Sequence, residues 1–525
     1  MSVRIEFLLV FSIYIAIGSA LATMSRRFFR GDIRDYYTGG GRLGALLAFG
    51  TYAATTYSAF MMVGLVGLTY ATGVGALGFE LAYLAFTIFF LSTIGYRIWA
   101  LSRRHNWISP SQMLGEIYGS RLLEPIVSSI YLFAMLPYLA AQIQGLKSIF
   151  TYGGLSELES VVISSIIVYA WIIIAGLWSV SITDTYQGFI MLFGGLAYLI
   201  WVLLSLIPST GNSLSNIVSV ISESGYLGLT KFWSLQVFLA YTIPWIFFAI
   251  TNPQVVVRLY IARDESSYKK SITYFFIYGL IYTLIVVVVG LIARGLAEVG
   301  FIPRDLPRDS VTPLLLSYMN PLLGSIMAVS IVAAAVSTAN SIVLAVSGSL
   351  LATIKGGESG ELLLARVMDA IIVSLAAIIA SANIGYIVDL SVLTSVILLP
   401  LAPVTIMGVY LNKKPGPIIK YSTVLSVIIG VGISTYYALV YGPRRAFLEQ
   451  IVGLPLSLIT LLSASTILLG GYVFEKLYSR QDSTVVESNI LYRYSTLRFI
   501  AQCERKMYQS IGLGWYIETC RIECH

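Results

Sequence analysis

The stretch Thr51–Gly64, TYAATTYSAFMMVG, decides how the rest of the chain is read. It lies inside an apolar run, Leu43–Ala71, that carries no charge and is long enough to cross a bilayer. Its middle holds consecutive hydroxyls at Thr55, Thr56, Tyr57 and Ser58, followed by Gly64, Gly67, Gly73 and Gly75. A lipid-facing helix has no use for them, but two other arrangements do. A helix packed inside a bundle uses small and hydroxyl residues for close approach. A helix that opens in mid-membrane uses hydroxyls, or a bound ion, to satisfy the carbonyls it frees.

Composition supplies the setting. The chain has 525 residues, of which 57% are hydrophobic and 11% charged, and its mean hydropathy is +0.83. Those values describe a polytopic membrane protein whose partner is the lipid bilayer, and they argue against a soluble enzyme. The net charge of +7 would point to nucleic acid in a soluble chain. Here the basic residues sit between apolar spans, so topology explains them and no nucleic-acid partner is expected. The 3 cysteines, Cys503, Cys520 and Cys524, all fall near the C-terminus and imply no disulfide framework. Cys520, Cys524 and His525 make only a weak metal-ligand set. The N-terminal apolar run is too long for a signal peptide, and its basic residues follow it, so it is read as an uncleaved first span.

About thirteen spans of roughly 20 residues each can be counted. They lie near 5–23, 43–71, 77–100, 125–150, 160–181, 187–207, 235–257, 271–293, 320–354, 364–384, 386–411, 417–441 and 452–475. The expected fold is an all-α membrane protein with a 5+5 inverted repeat whose first helices are broken. The ninth span is long enough to include a short interfacial helix after Pro321. The seventh carries Pro244 and Pro253 with Thr251 and Asn252 between them, and proline removes a donor and frees a carbonyl one turn back. Spans two and seven each open a block of five. An odd number of spans inverts one block against the other, and broken helices at matching places of inverted halves point to a transporter's central site. The expected units are a first span and loop (1–42), a first repeat (43–208), a second repeat (235–411), two C-terminal spans (412–476) and a cytoplasmic tail (477–525).

Charge orients the spans. Arg26, Arg27, Arg30, Arg34 and Arg42 follow the first, and Arg97, Arg103, Arg104 and Arg121 follow the third. Arg258, Arg263, Lys269 and Lys270 follow the seventh, and Lys413 and Lys414 the eleventh. These alternate loops are expected to be cytoplasmic, with the N-terminus outside and the C-terminus inside. Arg304, Arg308, Arg444 and Arg445 break the pattern on the outer side. Asp305 and Asp309 offset the first pair, and nothing in the sequence accounts for the second.

The ninth span, MAVSIVAAAVSTANSIVLAVSGSLL, is threaded with serines, and Ala334, Ser337, Thr338 and Ser341 share one face at helical spacing. A stripe of small residues for helix packing reads this way. So does half of a site for a hard cation, in which two hydroxyls complement the carbonyls of an opened second span.

At this point the chain resembles the sodium:solute symporter family, whose fold is the LeuT-type inverted repeat. The likeness rests on motifs in shared order across most of the chain. They are Asp35–Leu43 (DYYTGGGRL); Ser58-Ala59 followed by Gly64, Gly67, Tyr70 and Gly73; Leu136-Pro137-Tyr138 with Gln142; Thr183-Asp184 with Gln187, expected in a hairpin between spans five and six; Asn252-Pro253 with Arg258; and Ala334-Ala335-Val336-Ser337-Thr338. The resemblance implies sodium-driven symport by alternating access, with sodium as the coupling ion and no organic cofactor. It implies sodium ligands at the backbone oxygens of Ala54, Tyr57 and Ala334 and at the hydroxyls of Ser337 and Thr338. The chain departs from the family at Asn340 and Thr353, where aspartates are usual, and at Thr56, where the proline-transporting branch has aspartate.

For the solute, the resemblance places Glu80 where sugar-transporting members bind substrate. Met61 and Trp245 stand where those members have amides. With Phe60, Trp245 and Phe248 as walls, the lining lacks the directional hydrogen bonds that a hexose needs. A smaller or partly apolar organic solute is expected: an amino acid, a monocarboxylate or pantothenate. Two other classes stay open. One is a proton-coupled or uncoupled carrier on the same fold, titrating Glu80, Asp184 or Asp389. The other is a membrane sensor that binds solute and signals through its tail. An enzyme is not expected, because no nucleophile–base pair or metal-ligand cluster stands out among the spans.

Overall fold

In hydrocarbon each backbone N–H and C=O must find its partner within the segment, so uninterrupted apolar runs close into helices. The computed structural model describes residues 5–478, apart from 355–360, 383–384, 412, 449 and 452. Among the described residues, 10 helices are individually long and apolar enough to cross a membrane, and three bent pairs bring the spans to 13. They are α1 (Ile5–Ser25), α2a (Ala45–Thr56), α2b (Phe60–Thr72), α3 (Gly75–His105), α4 (Leu123–Tyr152), α5 (Glu157–Ala175), α6 (Leu177–Ser209), α7a (Leu235–Thr251) and α7b (Pro253–Leu259). Then follow α8 (Glu265–Glu298), α9 (Pro321–Thr353), α10 (Glu361–Ser381), α11a (Ile387–Leu398), α11b (Leu401–Tyr410), α12 (Pro417–Tyr441) and α13 (Leu456–Tyr478). Helix α9 is the axis, buried along nearly its whole length and packed against α1, α2a, α4, α6 and α10.

The first helix of each five-span block is interrupted. Between α2a and α2b the chain bends by 46°; Tyr57 is extended (φ −90°, ψ 98°), and α2b starts as a wide π turn over Phe60–Leu65. Between α7a and α7b the bend is 42°. There Pro253 lacks an N–H and drives the residue before it out of the helical region, so Asn252 is extended (φ −82°, ψ 121°).

Four features differ from the sequence reading. Helix α11 is bent by 48° at Leu399–Pro400, where a continuous span was expected. Helix α9 runs unbroken from Pro321, and the short helix Val311–Ser317 precedes it. Helix α3 continues to His105, past the expected end at residue 100. The turn between spans five and six is the single residue Gly176, so Thr183, Asp184 and Gln187 lie buried inside α6 and not in a hairpin. Cys503, Cys520, Cys524 and His525, and nearly all of the expected tail 477–525, lie outside the described residues.

Gly176 adopts φ +53°, ψ −131°, a conformation open to glycine at low cost. A Cβ there would collide with the Tyr36 carbonyl oxygen. Gly442 has φ +77° but nothing within 4 Å of such a Cβ. Backbone strain of about 1–3 kcal/mol is common to both, so Gly176→Ala should lower the thermal midpoint of purified protein well beyond Gly442→Ala. Equal losses would show that the contact with Tyr36 does not matter.

Candidate ion and solute site

The last turn of α2a leaves its carbonyls without N–H partners ahead, and α9 supplies hydroxyls to them. Ser337 Oγ donates to the Ala54 carbonyl at 2.8 Å and to Ala334 O at 3.1 Å. Thr338 Oγ1 lies 3.2 Å from Ala54 O and 3.1 Å from Thr55 O. Ala54, Ala334, Ser337 and Thr338 thus come together, all fully buried. Tyr57 follows at the break. Its N–H closes onto Ala53 O at 2.8 Å, and its ring stacks on Phe275 of α8 at 5.6 Å. The Thr55 carbonyl, which the motif does not single out, also joins the cluster. The donor set is carbonyl and hydroxyl oxygen with no fixed charge, the chemistry of a weakly held hard cation.

A fully buried polar chain adjoins this clasp. Thr55 Oγ1 and Ser341 Oγ are 2.6 Å apart. Arg258 Nη2 donates to Ser341 Oγ at 2.5 Å and Nη1 to Gln254 O at 3.1 Å. Thr51 Oγ1 donates to Asp184 Oδ2 at 2.6 Å, and the Arg258–Asp184 ion pair measures 3.9 Å. These contacts tie α2a, α6, α7b and α9 together. Further along the same end, Leu43 N–H donates to Ile261 O at 3.0 Å, Arg103 donates to Gly41 O at 2.6 Å, and Tyr36 donates to Asp369 at 2.9 Å.

On the other side of the breaks lies an aromatic cluster. Trp245 is its hub, with ring centroids 4.8 Å from Phe248, 5.0 Å from Phe60, 5.2 Å from Tyr83 and 6.2 Å from Phe79. Phe60, Trp245 and Phe248 are therefore in direct contact. Met61 is buried in the turn that opens α2b, where its N–H meets Ser58 O at 2.9 Å. Glu80 lies in the second turn of α3, 1% exposed. Among the described residues it has no ion-pair partner, and its Oε2 accepts no hydrogen bond. Phe79 and Tyr83 were not singled out from sequence. Tyr83, three residues after Glu80, shares its face, and Phe79 stands one turn before Tyr83, a spacing already present in the sequence.

The far end is closed by charge. Asp389, at the start of α11a, faces Arg308 at 3.7 Å, Arg444 at 3.8 Å and the Tyr241 hydroxyl at 3.3 Å. This explains Arg444, which the sequence left without a role. Asp309 beside it accepts from Ile387 N–H at 3.0 Å. Burial pushes the Asp309 carboxyl up to about 6, against the pull of that hydrogen bond, and the Asp389 carboxylate adds to the rise. The loop also meets α2b directly, where Thr312 Oγ1 donates to Met62 O at 2.5 Å.

Comparison with known proteins gives a consistent result. The model of the sodium:solute symporter family matches residues 36–430. The sodium/pantothenate symporter of Haemophilus influenzae is 24% identical over 349 residues, covering 64% of this chain and 69% of that protein. A sodium/proline symporter of Staphylococcus aureus is 22% identical over 332 residues, covering 61% of this chain and 62% of that one. These matches span about two thirds of the relatives' length. A Na+-coupled sialic acid symporter, solved substrate-bound and outward-open, superposes with a TM-score of 0.75 at 16% identity, over 90% of this chain and 98% of its own.

The Arg258–Asp184 pair generates a test of its own. Removing one member of a buried pair strands the other and costs about 3–5 kcal/mol, whereas replacing both is far milder. Asp184→Asn should therefore lower the thermal midpoint more than the double variant Asp184→Asn, Arg258→Met. Additive losses in the double variant would count against the two acting as a unit.

Proposed function

The chain belongs to the sodium:solute symporter family, and on that footing we propose that it imports a small organic solute by sodium-coupled symport with alternating access. It is a multi-span membrane protein and a transporter, not an enzyme. The solute classes we propose are an amino acid, a monocarboxylate or a pantothenate-like acid, held among Phe60, Met61, Glu80, Trp245 and Phe248. The two five-span halves, 43–208 and 235–411, work against each other, with the final spans 412–476 outside the repeat.

The observation that carries this reading is the meeting of Ser337 and Thr338 with the freed carbonyls of Ala54 and Thr55. Sodium enters this clasp with the hydroxyl protons turned away, so that their lone pairs face the ion, and the Ala334 carbonyl completes the α9 side. The Tyr57 carbonyl joins when the break rearranges. The ion then joins α2a to α9 and orders the turn that presents Phe60 to the solute. The Asp389 cluster and the Arg258 network bar the two ends of the path, and opening them in turn gives alternating access. The Arg258 end faces the cytoplasm, the N-terminus lies outside and the C-terminus inside.

Two experiments test this. In a background with the three tail cysteines changed to serine, Phe28→Cys and Leu122→Cys place thiols at residues 37% and 58% exposed. Both should resist an impermeant thiol reagent in intact cells, while Ser222→Cys on the opposite face should label. The reverse pattern would overturn the orientation. For the ion, losing one ligand oxygen from a desolvated cation costs about 1–3 kcal/mol by analogy with buried hydrogen bonds. That is roughly a five- to hundredfold rise in the sodium needed for half-maximal uptake. Ser337→Ala and Thr338→Val should show it, and Thr338→Ser should be mild. Because coupling between ligands is reciprocal, both severe variants should also weaken solute binding at low sodium. Unchanged sodium dependence in both would remove the ion from this place.

A further inference from the structure

We infer that the aromatic site around Trp245 selects a solute carrying a cationic nitrogen, with Glu80 as its counter-charge and the surrounding ring faces as its walls. This rests on the solute site proposed above and narrows it to one class. Helix α3 presents Phe79, Glu80 and Tyr83 on its buried side, and Trp245 joins Phe60, Phe79, Tyr83 and Phe248 into one aromatic cluster. Glu80 and Tyr83 stand three residues apart on one face of α3, and Tyr83 packs edge-on to Trp245 at 5.2 Å, so the carboxylate adjoins the ring cluster.

A buried carboxylate without a partner is a costly group to maintain. An ammonium ion placed against it removes that cost, and the negative ring faces of Trp, Tyr and Phe attract the same charge. A carboxylate-only solute meets the opposite situation. The buried basic side chains among the described residues are Lys147, Arg258 and Arg308, and each faces an acid elsewhere. Lys147 meets Glu157 at 3.1 Å, Arg258 meets Asp184 and Arg308 meets Asp389. A monocarboxylate or pantothenate would therefore bring its charge towards Glu80 with no basic side chain turned to it. Of the three classes proposed, the amino acid fits, together with amines that carry no carboxylate. The orphaned donors Trp245 Nε1 and Tyr83 Oη suit an acceptor on the same solute.

The test uses matched solutes on the purified full-length protein. Choline is compared with 3,3-dimethyl-1-butanol, its uncharged isostere, and γ-aminobutyrate with pentanoate; pantothenate is added as a larger acid. Each is titrated for thermal stabilisation in sodium chloride and in potassium chloride of equal strength. At least one ammonium solute should half-saturate at a concentration about tenfold or more below its isostere and below pantothenate. Glu80→Gln should erase that gap, and Glu80→Asp should restore part of it. The inference is overturned if pentanoate or pantothenate binds as well as the ammonium solutes, if no ammonium solute binds, or if Glu80→Gln leaves the preference intact. The comparison of isosteres on the wild-type protein decides the matter even where a variant does not fold. The salt arms separate this inference from the symport reading. Ammonium-selective binding that is indifferent to sodium keeps the inference and removes the coupling, whereas sodium-dependent binding of the acids does the reverse.

Discussion

A helix cannot be broken inside a membrane unless something else satisfies the backbone it exposes. In this chain the break falls after Thr56, and the compensating groups come from nearly 300 residues further along, on α9. That dependence dictates much of the architecture. Helix α9 must approach α2a closely enough for hydroxyls to reach carbonyls, and the run Ala333-Ala334-Ala335 beside Ser337 keeps its surface low enough for that approach. The contact is also easily exchanged. Hydroxyl–carbonyl hydrogen bonds carry no net charge, and a small cation can take over the same oxygens once the hydroxyl protons turn to other acceptors.

Charge is used differently at the two ends of the path. At one end Arg258 and Asp184 are fully buried and knitted to hydroxyls from α2a and α9, so moving any one of these helices disturbs all four. At the other end Arg308 and Arg444 converge on Asp389 at ion-pair separation. Among the described residues, the Nη1 atom of Arg308 and Oδ2 of Asp389 have no hydrogen-bond partner. This cluster is attached to a loop, to a short helix and to the tip of α11a, elements more easily shifted than the middle of a span. The difference in construction matches the difference between a deep, cooperative closure and a shallow one.

Much of this was legible in the residues. Apolar run lengths gave the 13 spans, because hydrocarbon thickness leaves little freedom in helix length. Thr55–Ser58 and Asn252-Pro253 located two of the three bends. The third, at Pro400, went unread because the sequence around it is uniformly apolar and a lone proline often only kinks a helix. Thr183-Asp184-Gln187 was assigned to a hairpin because polar residues in an apolar run suggest a loop. In the structure they are interior because Thr51, Arg258 and Tyr14, from three other helices, answer them. Such long-range pairing leaves no local trace, and neither does the convergence of Arg444 on Asp389. The aromatic cluster was half visible: Phe60, Trp245 and Phe248 come from the two broken helices, but Phe79 and Tyr83 become walls only once α3 is laid against them.

The unpaired state of Glu80 bears on how a transport cycle of the kind proposed would respond to membrane voltage. Arg258 and Asp184 travel as a neutral pair, so carrying them through the field does no work. Glu80 has no such companion, and one elementary charge crossing the field is worth about 2.3 kcal/mol per 100 mV. On the reading proposed above, a sodium ion and an organic cation against an ionised Glu80 would give the loaded site a net charge of +1. A membrane potential negative on the inside would then pull the loaded form inward. A solute with no net charge, a zwitterionic amino acid included, would forfeit that pull.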